Sequence, residues 1–389
     1  MPIRNRIADM HDEVTQWRRD LHAHPELLYD TVRTAGVVAE KLREFGCDEV
    51  VEGIGRTGVV GVIRGREAGA GKVVGLRADM DGLPIEEATG AEYASIVPGR
   101  MHACGHDGHT SMLLGAAKYL AETRNFDGTA VVIFQPAEEG GAGGRAMVED
   151  GLIERFGIRE VYGMHNDPGR PVGTFAIRSG TYYAAMDTFE IILRGKGGHA
   201  AMPQQTVDTL VMSSATVLSL QSITARNVDP LKSLVVSVTS FHSDGDAFNV
   251  IPGTVTLRGT VRSFDAELRD MAERRIREIA EHTALAYGGS AEVDWRPGYP
   301  AMINADIETG LAADAARRVS GDVDTDAPAT MGGEDFAFML EACPGAYIQL
   351  GNGDSASLHH PEYDFNDEAI PFGTTFWVEL VEMRMPLAG

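Results

Sequence analysis

Residues Met101 to Asp107 read Met-His-Ala-Cys-Gly-His-Asp, which sets a thiol and an imidazole two positions apart across one glycine. Side chains two apart in extended backbone point to the same side, so the Cys104 sulfur and a ring nitrogen of His106 can converge on one cation. Three further groups of the same chemistry lie downstream: Glu138 with Glu139, His165, and His359 with His360. Thiolate, imidazole and carboxylate are together borderline-soft donors. They suit a transition metal such as zinc or manganese better than calcium or magnesium.

The elements that must carry these groups are written as short apolar runs. Lys72 to Leu76 reads as a buried strand and leads to Asp79 and Asp81, and Ala130 to Phe134 leads to Glu138 and Glu139. Val161 to Met164 ends at His165, and the loop after Ala346 to Leu350 carries His359 and His360. In open α/β sheets, ligands bind just beyond the carboxyl ends of the strands. Polar groups that follow successive apolar runs are therefore expected in one crevice.

The 389 residues are too many for a single core and predict two or three domains. A net charge of −23 argues against nucleic acid or an anionic membrane as partner. The first residues, Met1 to Leu28, intersperse acids and bases and lack the apolar stretch of a signal peptide, and no run is long enough to span a bilayer. Three widely spaced cysteines, Cys47, Cys104 and Cys343, do not make a disulfide framework and fit a reducing cytoplasm.

Helix and strand patterns alternate through the first part of the chain, as a mostly parallel, doubly covered sheet requires. Helices are expected over Trp17 to Gly46 with a break near Pro25, over His109 to Ala121, and from Gly144. The texture then changes. A strand at Asp187 to Arg194, a helix at Val207 to Thr224, strands at Leu234 to Phe241 and Thr254 to Ser263, a helix at Ala266 to Tyr287 and a strand at Glu292 to Trp295 give β-α-β-β-α-β, the ferredoxin-like unit. The α/β texture resumes after Pro297 and must return a histidine to the first site. The expected organisation is a catalytic domain in two segments, 1–184 and 297–389, with a smaller domain inserted at 185–296.

Two glycine patterns compete for a different reading. Gly53, Gly55 and Gly58 have the spacing of a dinucleotide-binding fingerprint, which would make the chain an oxidoreductase. That fingerprint must open a helix, whereas Val59, Val60, Val62 and Ile63 read as a strand, so a hairpin turn is predicted instead. Gly140, Gly141, Gly143 and Gly144 precede a helix, but no Lys-Ser/Thr pair completes a phosphate loop. They read as a tight turn that lets Glu138 and Glu139 face inward.

Nearly the whole chain resembles the M20 metallopeptidase family. The similarity is carried by Arg19 to Glu26, Arg77 to Pro84, Met101 to Thr110, Gln135 to Gly140, Gly195 to Ala201, Asn249 to Pro252 and Gly332 to Phe336. The Cys-Gly-His form is that of the amidohydrolase branch, with its aminoacylase-like, hippurate-hydrolase-like and auxin-conjugate-hydrolase-like enzymes. The resemblance implies an α/β, mostly parallel-sheet catalytic domain with a dinuclear metal site, and an inserted βαββαβ lid that also dimerises. It implies hydrolysis of N-acyl amino acids through a metal-activated water, with dipeptidase or carboxypeptidase activity as the alternative within the family.

Carried over residue by residue, the resemblance implies metal ligation by Cys104, His106, Glu139, His165 and His360, with Cys104 bridging two divalent cations per subunit. Zinc or manganese is expected, with cobalt and nickel as further candidates. Glu138 would move the proton, since a metal lowers the pKa of water toward ~7 and a nearby unligated carboxylate then serves as base. Asp79 would hydrogen-bond a ligand histidine and fix its orientation. His102, His109 and His359 are expected as loop or supporting groups, and His22 as structural.

From the lid, His199 is implied to stabilise the oxyanion in the partner subunit of a homodimer. Asn249 and Arg262 are implied to contact substrate, the guanidinium facing a free α-carboxylate. Tyr29-Asp30-Thr31 and Asp167 depart from the usual family pattern without touching the ligand set. A metal-binding module without catalysis would keep the ligands but lack a base, which Glu138 argues against.

Overall fold

The computed structural model describes residues 3–66 and 71–387. The chain forms two compact units. One holds the chain up to Tyr182, Ile303–Pro328 and the part from Asp335 onward; the other holds Tyr183–Met302 with Ala329–Glu334.

The first unit is built on an eight-stranded sheet. Its centre is four adjacent parallel strands: Thr129–Gln135, Val73–Asp79, Glu160–Pro168 and Gly345–Gly353. These are the four apolar runs of the sequence. They are buried on both faces, which is why they are written as continuous Val, Ile, Leu and Ala runs without alternation. A hairpin of Glu49–Ile54 and Gly58–Arg64 adds two antiparallel strands beyond Thr129–Gln135. Its turn holds Gly53 and Gly55 at positive φ, as the hairpin reading of those glycines required. The short strands Phe175–Ala176 and Val323–Asp324 close the other edge.

On one face the helix His106–Thr123 packs against His11–Ala23 and Ile370–Arg384. Leu76, Phe134, Met164 and Ile348 of the sheet share a core with Met112, Leu113, Ala116 and Trp377 of the helices. Since His106–Thr123 is itself buried along most of its length, its first turn is fixed in space.

In the second unit four strands pair antiparallel in the order Leu234–Ser243, Thr254–Ser263, Ala185–Arg194, Ser290–Pro297. Helices Thr209–Arg226 and Ala266–Ala286 supply the rest of its core, where Phe189, Ile191 and Leu193 meet Leu220, Ile223, Ile276 and Ala280. Both helices start on an aspartate. Asp208 accepts from the backbone N–H groups of Leu210 and Val211, and Asp265 from those of Glu267 and Leu268, so two otherwise orphaned donors are satisfied at each start. The chain order is β-α-β-β-α-β, the ferredoxin-like unit that the alternation of patterns predicted. No helix among the described residues is long and apolar enough to cross a membrane.

Candidate metal centre

The polar groups collect at the carboxyl ends of the four central strands. Asp79 is the last residue of its strand, Glu138 and Glu139 follow the strand ending at Gln135, and His165 lies within Glu160–Pro168. Cys104 and His106 enter through the start of helix His106–Thr123. Gly105 between them has φ +87°, and a Cβ there would come within 2.4 Å of the Asn166 side chain and 2.6 Å of the Tyr363 hydroxyl. Only glycine lets the backbone pass, so the spacing of thiol and imidazole depends on it.

Three donor sets overlap. The sulfur of Cys104 and ring nitrogens of His106 and His165 lie within 4.8 Å of one another, as do donors of Cys104, Glu139 and His359, and donors of His106, Glu138 and Glu139. Cys104 is common to the first two. His106 is fully buried, and neither ring nitrogen has a hydrogen-bond partner. Yet Asp81 Oδ1, Asp79 Oδ2 and Glu139 Oε1 stand 3.5, 3.7 and 3.9 Å from it. A buried imidazole ringed by carboxylates without hydrogen-bonding them fits a cation ligand, since an unsatisfied buried donor or acceptor is otherwise costly.

Hydrogen bonds sort the other imidazoles. His165 Nδ1 donates to the Asn166 carbonyl at 2.7 Å, leaving Nε2 as a lone pair 3.4 Å from the Cys104 sulfur. His109 uses both nitrogens: Nδ1 donates to Asp79 Oδ1 at 2.6 Å and Nε2 accepts the Asn166 N–H at 3.0 Å. His109 thus has no lone pair left for a metal. The histidine that Asp79 hydrogen-bonds is thus His109, which was not among the expected ligands. Asp79 binds His109 with one oxygen and the Arg77 guanidinium with the other, at 2.7 Å, and approaches His106 only to 3.7 Å.

The structure brings His359, not the expected His360, to the cluster. The His359 N–H donates to the Ala103 carbonyl at 2.8 Å, next to Cys104, and the residue takes φ +63°, which turns its ring toward Glu139. His360 instead heads a turn. Its Nδ1 accepts the Glu362 N–H at 3.1 Å and its carbonyl accepts the Tyr363 N–H at 2.9 Å. Adjacent side chains leave the chain in different directions, so one of the two is directed away from the cluster.

The electrostatics match this division. Burial, together with Glu139, Glu138 and Asp79, pushes the Cys104 thiol well above its ordinary value. Burial lowers the His106 pKa, but Asp79 and Asp81 overcome it and raise the group to about 10. Burial brings His165 and His109 down to about 4. Protons on Cys104 and His106 therefore hold the places that a cation would compete for.

The sequence profile of Peptidase family M20/M25/M40 matches residues 75–383. The chain belongs to this family. It is 39% identical over 375 residues to an N-acetylcysteine deacetylase of Bacillus subtilis, covering 95% of this chain and 96% of that protein. It is 40% identical over 376 residues to the hippurate hydrolase of Campylobacter jejuni, covering 96% and 97%. The crystal structure of the Bacillus subtilis YXEP protein, described as a dinuclear metal binding peptidase from the M20 family, superposes with a TM-score of 0.85. It is 36% identical and the match covers 97% of this chain and 99% of that one. These relatives put the M20 chain in the amidohydrolase branch.

The inserted unit of this M20 chain brings two of its three expected residues together. The ribbon of Gly198–His199 and Val250–Ile251 sets His199 opposite Val250, and the Ala200 N–H donates to the Asn249 carbonyl at 3.0 Å. Both residues are exposed. Arg262 lies on Thr254–Ser263, half-buried, and donates to the Thr260 hydroxyl and the Val261 carbonyl. It forms no ion pair among the described residues, and its burial lowers its pKa.

Three groups of the M20 site do more than the sequence signals. His109 was expected only as a supporting group, without a partner. Asn166 donates to the Cys104 carbonyl at 2.7 Å and accepts from the Tyr363 hydroxyl at 2.7 Å, yet nothing in its local sequence signals that. Asp81 was visible as a polar strand end, and its contacts are made through backbone atoms of a distant loop.

Proposed function

We propose that this M20 chain is a metal-dependent amidohydrolase that cleaves N-acyl amino acids to a carboxylic acid and a free amino acid. The observation that carries the reading is the pair of donor sets sharing Cys104, with the Glu138 carboxylate beside them. Cys104, His106, Glu139, His165 and His359 would hold two divalent cations, and thiolate with imidazole favours zinc or manganese. Bound there, such metals supply a polarised carbonyl and a water of lowered pKa.

The chain's own residues do the rest. Glu138 is only 7% exposed and lies within reach of His106 and Glu139 without being needed as a second carboxylate ligand. Its carboxylate takes a proton from the attacking water and returns one to the departing amine nitrogen. Asp79, held by Arg77, fixes His109, and His109 and Asn166 brace His165 and the Cys104 loop. Arg262, without a carboxylate partner of its own, is assigned the substrate α-carboxylate. Asn249 is assigned to substrate and His199 to the oxyanion, acting across a homodimer. Three free cysteines agree with a cytoplasmic setting.

Metal analysis together with a hydrolysis screen over N-acetyl, N-benzoyl and N-indoleacetyl amino acids and dipeptides tests the reading. Hydrolysis of the N-acyl series by protein carrying bound metal supports it. Cleavage of dipeptides with the N-acyl series untouched would assign a carboxypeptidase or dipeptidase activity instead.

A further inference from the structure

We infer that Asp81 is a positioning residue that sets the division of labour between Glu138 and Glu139, an inference that rests on the amidohydrolase reading. Glu138 and Glu139 are consecutive but are given different tasks, one moving a proton and the other holding a cation. Adjacent side chains leave the chain in different directions, and which of the two carboxylates meets the cation depends on how their peptide planes are set. Something must fix the two peptide planes.

Asp81 is fully buried, two residues beyond the end of strand Val73–Asp79. Its Oδ1 accepts the backbone N–H of Glu138 at 2.9 Å and its Oδ2 accepts that of Glu139 at 3.1 Å. Two successive N–H groups converging on one anion form a nest, and here the anion comes from the neighbouring strand. The loop around it is unusual. Ala137 and Ala142 both sit at φ +55° and Gly140 at φ +96°, and left-handed alanines persist only where surrounding contacts over-determine them. The grip on both N–H groups is such a contact. It places Glu139 beside Cys104 and His359, a donor set that Glu138 does not share, while both carboxylates stay within reach of His106.

One carboxylate supplies both acceptors, so the arrangement cannot survive an amide. In Asp81→Asn one oxygen remains and the NH2 group faces an N–H donor. Divalent cation affinity, read by titrating the metal-free protein with Mn²⁺ against a chelating indicator, is expected to fall on the order of 10- to 100-fold. kcat should fall about tenfold or more while KM changes by less than about threefold, as for a group that acts only through the reacting carboxylate. In the Glu139→Gln background, Asp81→Asn should weaken Mn²⁺ binding by no more than about threefold further, because the carboxylate it positions is gone and only its 3.5 Å approach to His106 remains.

Gly140→Ala provides a second perturbation that removes no buried charge. No heavy atom lies within 4 Å of a Cβ at Gly140, so the substitution strains the left-handed backbone without a packing clash. The same paired loss of affinity and kcat at nearly constant KM is expected, and it keeps the test sharp if Asp81→Asn folds poorly. Unchanged Mn²⁺ affinity and kcat in folded Asp81→Asn would overturn the assignment. So would a loss that adds in full to that of Glu139→Gln, or a Gly140→Ala enzyme that behaves as wild type. Native protein that takes up no Mn²⁺ would remove the amidohydrolase reading, and this assignment with it.

Discussion

His359 Nε2 lies 3.3 Å from Glu139 Oε1, and this approach joins the loop after the last parallel strand to the loop after Thr129–Gln135. A ligand set drawn from four strand ends needs that closure. His359→Ala is therefore expected to weaken divalent cation binding on the order of 10-fold or more, whereas His360→Ala should leave affinity and turnover within about twofold. Isothermal titration of the two variants separates them. Equal losses, or a loss confined to His360→Ala, would reverse the assignment.

Glu138→Gln should keep its metals and lose turnover. A positioned proton shuttle contributes about 10²- to 10⁴-fold, and an amide of the same shape cannot move the proton. Metal content by elemental analysis beside kcat is the check. Loss of metal in this variant would make Glu138 a ligand, and near-normal kcat would remove it from the chemistry.

The adjacent glutamates and adjacent histidines show where legibility ends. The four strands that carry the site were readable because strands buried on both faces are written as unbroken apolar runs. The Cys104 and His106 pair was readable because its spacing is local, and the inserted unit because its strand and helix periods differ. The choice between His359 and His360 is made by one left-handed backbone angle and one hydrogen bond to Ala103, which no local pattern encodes. Asp79 was recognised as an orienting group, but its partner, His109, is settled by Asn166 from another strand.

His22 illustrates support at a distance. Its Nδ1 lies 2.8 Å from Asp107 and its Nε2 3.2 Å from Glu87, and Arg18 stands 3.5 Å from the same Asp107. Burial lowers the His22 pKa, but Asp107 and Glu87 raise it overall to about 9. The folded value exceeds the unfolded ~6.5. The stabilisation is thus complete below about pH 6.5 and is lost as pH rises through about 9. Urea unfolding of metal-free protein should show His22→Gln costing about 3 kcal/mol at pH 6 and distinctly less at pH 9.5. A pH-independent cost would mean that His22 contributes packing and not charge.

Arg262 carries the substrate assignment that chemistry most directly tests. N-acyl amino acids with a free α-carboxylate should be cleaved faster than their amides, and Arg262→Ala should erase most of that preference. A charge-assisted contact contributes roughly 1.5 to 3 kcal/mol, or about one to two decades in kcat/KM. Comparing kcat/KM for paired acid and amide substrates gives the answer. Undiminished discrimination in the variant would place carboxylate recognition elsewhere.

Removal and return of the metal is the most direct measurement. Protein stripped by a chelator at neutral pH should have no activity toward N-acetyl or N-benzoyl amino acids, and stepwise addition of Zn²⁺ or Mn²⁺ should restore it. Because Cys104 and His106 hold protons in the metal-free protein, uptake should release protons into a weakly buffered solution as activity returns. Full hydrolysis by verified metal-free protein, or cation uptake at this site with no proton release and no hydrolysis of any N-acyl amino acid, would contradict a hydrolytic metal centre built around Cys104.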